Sequence, residues 1–294
     1  LSEQGRKYGV IARGEKFAGN ADAASVVELI TYGLKGMAAY ADHASQLGYE
    51  DPSIFNFVFA ALDTLRLAEQ EAPDLNALLG TALAVGAKNA EVMALLDKAH
   101  TAEFGTPSPA KANRSPSAGK AILVSGHDLG DLRALLEQTE GTGVNVYTHG
   151  EMLPAHGYPE LRKFSHLKGN YGGPWQQQNF DFSMFPGPIL ITTNCLVEPR
   201  KGYRNRIYTT NAVGFDGITH VKERDFSAIV AQAQQLEGFT EDETPQYLDV
   251  GFGHATVLSL ADTIVQMVTD KTISRLFFIG GCAGSEGDGR SSTK

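Results

Sequence analysis

Residues 121–147 (AILVSGHDLGDLRALLEQTEGTGVNVY) decide the fold class of this chain. A short apolar run at 121–124 passes through a glycine turn into a segment whose leucines share one helical face, and a second apolar run follows at 144–147. Strand, helix and strand in this order are typical of a parallel sheet with helical crossovers. The sequence therefore predicts a Rossmann-like parallel α/β domain over residues 116–240.

The residues before this domain are predicted to be helical. Apolar side chains recur at a spacing of three or four, and Asn20 or Asp22 is the expected N-cap of the first helix. Residues 1–115 are thus expected to hold part of a helical bundle and a linker. The expected helices cover residues 21–44, 54–65, 73–85 and 90–100.

Composition marks two boundaries along the chain. Residues 105–119 (GTPSPAKANRSPSAG) are rich in proline, serine and alanine and lack apolar periodicity, which predicts a linker. The acidic stretch 237–245 (EGFTEDETP) is predicted to end the first α/β domain. A helix over 254–268 and a strand over 275–279 then predict the truncated start of a second α/β domain, residues 241–294.

Charge and cysteine content exclude several classes of function. The chain has 294 residues and a net charge of -9, which argues against binding to nucleic acid or an anionic membrane, because such contacts need clustered Lys and Arg. No apolar run reaches the roughly 18 residues of a membrane helix, and no signal peptide is recognisable. Two cysteines cannot build a disulfide framework, so a cytoplasmic location is expected.

Three segments leave alternatives open. The basic stretch 199–206 (PRKGYRNR) is either a surface for an anionic partner, such as an electron donor, or a solvated loop. Residues 169–180, which hold the only tryptophan, form either a surface loop or a lid or channel wall near the site. The glycine-rich residues 280–290 lack the Gly-Lys-Ser/Thr ending of a P-loop, which disfavours nucleotide binding.

Four residues with metal-binding side chains each follow a short apolar run that is predicted to be a buried strand. They are His127, Glu151, Cys195 and Cys282. In open α/β sheets ligands bind at the carboxyl ends of the strands, so one shared site is predicted. Imidazole, carboxylate and thiolate all bind iron, and an iron-sulfur or mixed-metal centre is the first hypothesis.

Each of these residues also has an ordinary structural interpretation. Asp128 can cap the next helix with His127 incidental, Glu151 can offset a helix dipole, and a lone buried cysteine is often a small apolar side chain. Their shared position after predicted strands favours the site. His149 and His156 lie in the same segment as Glu151, and they are expected to support the ligands or to deliver protons.

Seven motifs extend these observations over nearly the whole chain. They are 12–16 (ARGEK), 19–22 (GNAD), 125–129 (SGHDL), 147–156 (YTHGEMLPAH), 169–176 (GNYGGPWQ), 193–196 (TNCL) and 280–282 (GGC). In content and order they resemble the hybrid cluster protein family, also called prismane protein or hydroxylamine reductase. The chain resembles a central fragment of such a protein.

The resemblance implies a helical N-terminal domain and two Rossmann-like α/β domains, with a hybrid iron-sulfur-oxygen cluster at their junction. His127, Glu151 and Cys195 would ligate this cluster, and Cys282 would match the cysteine that bears a persulfide sulfur. Family members reduce hydroxylamine to ammonia, and a role in nitric oxide detoxification is attributed to them. A redox partner protein would donate the electrons.

Two parts of the family pattern have no counterpart in this sequence. No cysteine precedes Cys195, so the motif that holds a second iron-sulfur cluster, of the 4Fe-4S type, is absent. The later ligands would lie beyond Lys294. The alternatives are therefore a truncated, non-catalytic paralogue or interaction module, and a carbon monoxide dehydrogenase-like subunit with nickel, which the carboxylate of Glu151 disfavours.

The expected reaction explains why a cluster is needed. Cleavage of the N–O bond of hydroxylamine takes two electrons and protons, and side chains cannot supply the electrons. A mixed ligand set leaves iron less saturated with thiolate than four cysteines do, which favours an iron that substrate can reach. Glu151 is expected to move on and off iron, and His149 or His156 to relay protons.

Overall fold

The chain forms two compact units, Leu1–Glu103 and Phe104–Lys294. The structure is a computed structural model that describes residues 3, 16–17, 20–70, 74–193 and 196–277. In these residues the first unit is helical and the second is α/β, which confirms the predicted fold class. The domain limits expected near residues 115 and 240 stay predictions.

Three long helices build the described part of the first unit: α1 (Ala21–Gln46), α2 (Pro52–Gln70) and α3 (Leu75–Phe104). Of the two expected N-caps, Asn20 and Asp22, it is Asn20 that caps α1, because its side-chain oxygen accepts a hydrogen bond from the Ala23 N–H at 3.0 Å. The apolar stripe of α1 is buried in the core of this unit. It consists of Val27, Ile30, Leu34 and Met37.

The two helices expected over residues 73–85 and 90–100 are one continuous helix, α3. Val85 and Val92 are both buried in the same core, so one helical face continues through the intervening residues. Gly86 costs about 1 kcal/mol in helix propensity, but burying each valine contributes about 1.5–3 kcal/mol. The prediction of two helices was wrong because packing outweighs this local preference.

By length and composition, α3 is also apolar enough to cross a membrane, with a mean hydropathy of 1.2 over its most apolar 18-residue window. Length and composition are weak evidence for a membrane span, because core helices of soluble proteins pass the same test. The expectation of no membrane segment therefore stays a prediction.

Two sheets form in the described part of the second unit. β1 pairs with β8 in antiparallel fashion, and the other six strands make a parallel sheet in the order β4-β3-β2-β5-β6-β7. The parallel sheet is the one that the sequence predicts. The strands are β1 (Ala110–Asn113), β2 (Lys120–Ser125), β3 (Val144–His149), β4 (Leu167–Tyr171), β5 (Ile189–Ile191), β6 (Ile207–Thr209), β7 (Thr219–His220) and β8 (Tyr247–Val250).

Helices and 3-10 turns connect these strands. Asp128 caps the helix after β2 by accepting a hydrogen bond from the Asp131 N–H at 2.9 Å, and the leucines of that helix are buried as predicted. The helices are α4 (Leu129–Thr139), α5 (Pro159–Arg162), α6 (Gln178–Met184), α7 (Ser227–Gln235), α8 (His254–Ser259) and α9 (Ala261–Thr269). The 3-10 turns are Gly150–Gly157, Trp175–Gln177 and Arg204–Arg206.

Three local predictions differ from the structure. The linker expected over 105–119 contains β1, which is ordered by pairing with β8 far along the chain. The helix expected over 254–268 is two helices, because Leu260 tightens the turn by bonding to the Val257 carbonyl. No strand includes residues 275–277, where Leu276 and Phe277 are exposed and no described strand lies alongside; the remainder of that predicted strand lies outside the described residues.

The order of the parallel strands creates a switch point beside β2. β3 and β4 lie on one side of β2, whereas β5, β6 and β7 lie on the other. In open α/β sheets the crevice outside the carboxyl ends at such a point is where ligands bind. His127 follows β2 and Thr193 follows β5, so both residues lie at the two sides of this crevice.

Candidate metal centre

His127 and Glu151 are in direct contact. The Nε2 atom of His127 lies 2.5 Å from the Oε2 atom of Glu151, and the two side chains are 23% and 40% exposed. Their partial exposure leaves room for a ligand on the solvent side. The structure therefore brings together two of the four residues that the sequence proposes as one site.

The register of β2 and β3 explains this contact. Ser125 pairs with His149 at the last position of both strands, so residues two beyond each strand emerge side by side. Gly126 and Gly150 supply the turns, with φ angles of 123° and 59° that side chains disfavour. A Cβ atom on Gly126 would lie 2.3 Å from the Thr192 hydroxyl, so only glycine fits there.

A third residue holds the other side of the His127 ring. The Nδ1 atom of His127 lies 2.8 Å from the Oγ1 atom of Thr193, just after β5. A hydroxyl can donate to a bare ring nitrogen or accept from a protonated one. Metal-binding histidines commonly use one nitrogen for the metal and the other for such a partner, so His127 is oriented as a ligand would be.

His149 lies beneath these residues and is fully buried. Its Nδ1 atom is 3.1 Å from the Ser125 hydroxyl, and its Nε2 atom is 3.1 Å from the Asp181 carboxylate. Both ring nitrogens are therefore engaged by protein groups. The proton-delivery role expected of His149 stays a prediction.

His156 is also buried, and its Nε2 atom contacts the Thr148 hydroxyl at 2.8 Å. Burial lowers the pKa of His156 to about 4, because the charged ring would lose its hydration. At neutral pH the ring is therefore uncharged. Its expected part in proton delivery remains a prediction.

The two cysteines lie outside the described residues, so their distances to His127 and Glu151 stay untested. Within the part of the chain that the structure describes, three or more His, Cys, Asp or Glu side chains do not form a group that could hold a metal ion. The described half of the predicted site is one imidazole and one carboxylate. A metal held here needs further ligands, for which Cys195 and Cys282 are the predicted candidates.

Two carboxylates behind His127 brace the loops at this edge of the sheet. Asp128 and Asp131 are buried, and the Asn211 amide donates to both, at 3.2 and 2.6 Å. The Arg224 guanidinium donates to Asp131 at 2.8 Å. Burial, and secondarily the nearby Asp128, raise the pKa of Asp131 to about 6.

Two of the four cations in the basic stretch 199–206 bind carbonyl groups of the same unit. Arg204 donates to the carbonyls of Pro199 and Asp216, and Arg206 donates to the carbonyl of Gly187 at 2.6 Å. These bonds hold loops of the same unit together. The remaining cations, Arg200 and Lys201, are exposed beside a cavity of about 640 Å³.

Residues 169–180 are not one surface loop in the structure. They comprise the end of β4, a turn at Gly172 and Gly173, a 3-10 turn and the start of α6. Their proximity to Gly150 places them beside the predicted site, since a Cβ atom on Gly150 would lie 3.8 Å from the Gly173 carbonyl oxygen. The alternative of a lid or channel wall stays a prediction.

Among the described residues, sequence reasoning missed four polar partners of the predicted site residues: Ser125, Thr148, Asp181 and Thr193. Thr193 had a usable signal, because it stands two positions before Cys195 after a predicted strand. Ser125 likewise precedes His127 by two. Asp181 had none, since it reaches His149 from a helix that begins 29 residues later in the chain.

Comparisons with known proteins agree with the resemblance seen in the motifs. A model of the Prismane/CO dehydrogenase family matches residues 4–294. A hydroxylamine reductase of Zymomonas mobilis is 50% identical over 284 residues, covering 97% of this chain and 51% of that protein. One from Burkholderia lata is 51% identical, covering 97% and 50%, and one from Escherichia coli is 49% identical, covering 93% and 50%. The chain spans about half the length of these relatives.

A solved structure is similar in fold. It contains alpha subunits of acetyl-CoA synthase/carbon monoxide dehydrogenase with NiZn[Fe4S4] and NiNi[Fe4S4] clusters, and the TM-score is 0.59 at 11% identity. The match covers 86% of this chain and 54% of that one. At this identity the likeness shows the fold alone. The family model covers nearly the whole sequence, and the chain therefore belongs to the Prismane/CO dehydrogenase family.

Proposed function

We propose that this chain forms part of an iron-sulfur oxidoreductase that reduces hydroxylamine to ammonia. The observation that carries the proposal is the contact of His127 Nε2 with Glu151 Oε2 at 2.5 Å, at the carboxyl edge of the parallel sheet. Relatives about 50% identical over most of the chain are named hydroxylamine reductase, which supports this reaction. Detoxification related to nitric oxide belongs to the same proposal.

The residues fit a hybrid iron-sulfur-oxygen cluster. His127 and Glu151 supply nitrogen and oxygen donors at the crevice, and Cys195 and Cys282 are proposed to supply sulfur donors. When bound, such a cluster supplies the two electrons in NH2OH + 2 e⁻ + 2 H⁺ → NH3 + H2O. The second iron-sulfur cluster of the family has no cysteines in this sequence, so any such cluster needs ligands from elsewhere.

The side chains of this chain have separate tasks in the proposal. Thr193 holds the His127 ring so that Nε2 faces Glu151. The carboxylate of Glu151 is 40% exposed, so it can exchange a proton with solvent or substrate. His149 and His156 relay protons to this edge in the same proposal, and Nε2 of His156 contacts the Thr148 hydroxyl.

The partners in this proposal are hydroxylamine or a related nitrogen oxide and a redox protein that donates electrons. Arg200 and Lys201 are exposed and cationic, which suits an acidic donor surface. Neither nucleic acid nor membrane is a proposed partner, because the chain carries a net charge of -9. A cytoplasmic location is part of the proposal because only two cysteines are present.

A second candidate is a non-catalytic interaction module. Such a module would keep the α/β fold and bind an anionic partner through the exposed Arg200 and Lys201 without holding a cluster. A carbon monoxide dehydrogenase-like subunit with nickel is a third candidate, which the carboxylate of Glu151 disfavours. Metal content separates all three candidates.

The test is anaerobic reconstitution with iron and sulfide, followed by metal and sulfide analysis and an ammonia assay with hydroxylamine and a reduced dye. The chain should be examined alone and mixed with a separately expressed C-terminal half of a relative. Bound iron and ammonia production that fall at least about tenfold in His127→Ala and Glu151→Ala would support the proposal. A colourless, iron-free protein in both samples would favour the interaction module, and bound nickel would favour the third candidate.

A further inference from the structure

Asp181 forms a deeply buried contact beneath the candidate site. Its side chain is 8% exposed, and its Oδ2 atom lies 3.1 Å from Nε2 of the fully buried His149. A carboxylate can only accept hydrogen bonds, so Nε2 must carry the proton. The Phe182 ring packs against the imidazole with centroids 5.0 Å apart, and this apolar neighbour keeps water away from the pair.

The same oxygen of Asp181 also holds a turn. The Gly173 N–H donates to Oδ2 at 2.9 Å. At Gly172 the φ angle is 78°, and a Cβ atom there would lie 2.6 Å from this oxygen. Glycine thus lets the backbone approach the carboxylate closely. One buried oxygen therefore links α6, the end of β3 and the turn that follows β4.

Both of these links lead to Glu151. His149 is the last residue of β3, two positions before Glu151, and the Ser125 hydroxyl holds its other nitrogen at 3.1 Å. The Gly172–Gly173 turn packs near Gly150, since a Cβ atom on Gly150 would lie 3.8 Å from both the Gly173 carbonyl oxygen and the Trp175 nitrogen. The backbone leading to Glu151 is thus held from two sides by groups bonded to Asp181.

We propose that Asp181 is a positioning residue that fixes the segment carrying Glu151, so that its carboxylate meets His127. It acts through His149 and through the Gly172–Gly173 turn, and it does not touch the reacting atoms. Whether this positioning matters for catalysis depends on the proposed function. The positioning itself is a property of the protein without any cluster, so it can be measured separately.

The experiment is hydrogen exchange by mass spectrometry on the metal-free chain at neutral pH. Asp181→Leu removes the acceptor, whereas Asp181→Asn can keep an oxygen at the same position for both donors. Asp249→Asn is the matched control, because Asp249 is an exposed carboxylate of β8 that pairs with Lys111. The imidazole nitrogen shifts of His149, measured by NMR, report which ring nitrogen carries the proton.

In Asp181→Leu, the amide exchange rate should rise about tenfold or more in peptides covering residues 149–157 and 171–177. This is the change expected when a hydrogen bond to a charged group is lost. Peptides from β6 and α7 should change less than about twofold. The Asn variant and the Asp249 control should resemble the wild type, and only the Leu variant should alter the His149 nitrogen shifts.

Two results would overturn the proposal. One is unchanged exchange at residues 149–157 in Asp181→Leu. The other is faster exchange spread evenly over the whole α/β unit, including β6 and α7, which would indicate a general loss of stability. If the Leu variant does not fold, Gly172→Ala replaces it, because the new Cβ would push the turn away from Oδ2 of Asp181. Faster exchange confined to residues 149–157 and 171–177 in that variant supports the proposal, and unchanged exchange there contradicts it. Iron-free, inactive protein both in the chain alone and in the mixture with the C-terminal half of a relative would contradict the proposed function without altering these outcomes.

Discussion

At the scale of single residues, burial distinguishes three histidines of the candidate site. His127 is partly exposed between Glu151 and Thr193, whereas His149 and His156 are buried with protein partners on their rings. All three lie in glycine-containing segments after predicted strands, and the sequence favoured His127 as the ligand and the other two as supporting groups. Burial, which depends on distant elements, decides which ring can meet a metal.

The first prediction concerns the pH dependence of stability through His156. Because burial lowers its pKa from 6.5 to about 4, this group contributes stability that is present above pH 6.5 and lost as pH falls through 4. Between pH 7 and 4.5 the loss should be roughly 2–3 kcal/mol. Urea unfolding followed by fluorescence of the single tryptophan, Trp175, measures it, and His156→Gln should lose that part of the acid sensitivity. Equal acid sensitivity in both proteins would contradict the assignment.

The second prediction concerns Thr193. Thr193→Val removes the hydroxyl at 2.8 Å from His127 Nδ1, and the unfolding free energy should fall by about 1 kcal/mol. The Thr193→Ser variant keeps the hydroxyl and should stay within about 0.5 kcal/mol of wild type. Nitrogen shifts of the His127 ring should change in the Val variant alone. Identical shifts in the two variants would show that Thr193 does not orient the ring.

At the scale of elements, two tight turns after parallel strands create the candidate site. The registered ends of β2 and β3 put His127 and Glu151 side by side, and the glycine between each strand and its ligand allows the chain to turn there. In the helical unit, packing keeps residues 86–89 helical, so the two expected helices form the single helix α3. Substitutions at Gly126, in the turn after β2, and at Gly86, inside α3, test these two features.

The third prediction is a pair of substitutions in glycine turns. Gly126→Ala should lower the unfolding free energy of the α/β unit by roughly 2–4 kcal/mol, because φ is 123° and the new Cβ would lie 2.8 Å from the Thr193 nitrogen. Gly202→Ala is the control, since its Cβ would meet nothing within 4 Å. Urea unfolding followed at Trp175 measures both. Similar effects of the two substitutions on the unfolding free energy would show that the backbone at Gly126 does not lie close to Thr192 and Thr193.

The fourth prediction tests the continuity of α3. Gly86 lies inside the helix, and a Cβ atom there would meet nothing within 4 Å. Gly86→Ala should therefore raise the unfolding free energy of the helical unit by roughly 0.5–1 kcal/mol, as in any open helix interior. Unfolding followed by circular dichroism at 222 nm measures the change. A destabilising effect would show that residues 86–89 are not helical.

At the scale of the whole molecule, contacts between distant parts of the sequence complete the edge of the sheet. Asn211 and Arg224 reach Asp131 across 80 and 93 residues, and β1 pairs with β8 across more than a hundred. These contacts belong to the α/β unit alone. They fix the loops around the switch point without appearing in any local motif.

The fifth prediction is a pH effect opposite in sign to that of His156. The pKa of Asp131 is raised to about 6, so its contribution to stability is present below pH 3.8 and is lost as pH rises through 6. The unfolding free energy of Asp131→Asn minus that of wild type should therefore rise by roughly 2 kcal/mol from pH 4.5 to 7. Asp249→Asn is the control, because Asp249 is an exposed carboxylate of β8, and it should show a smaller change. A flat difference for Asp131→Asn would refute the raised pKa.

The sequence by itself determined the fold class, the strands that carry His127 and Glu151, and the family. These features follow from local periodicity, from turn residues and from motifs in a fixed order, all of which are written in short stretches of chain. The tertiary structure decided the contact of His127 with Glu151, the continuity of α3, the pairing of β1 with β8, and the partners Thr193 and Asp181. Those features depend on burial and on contacts between residues far apart in the chain, which no local pattern records.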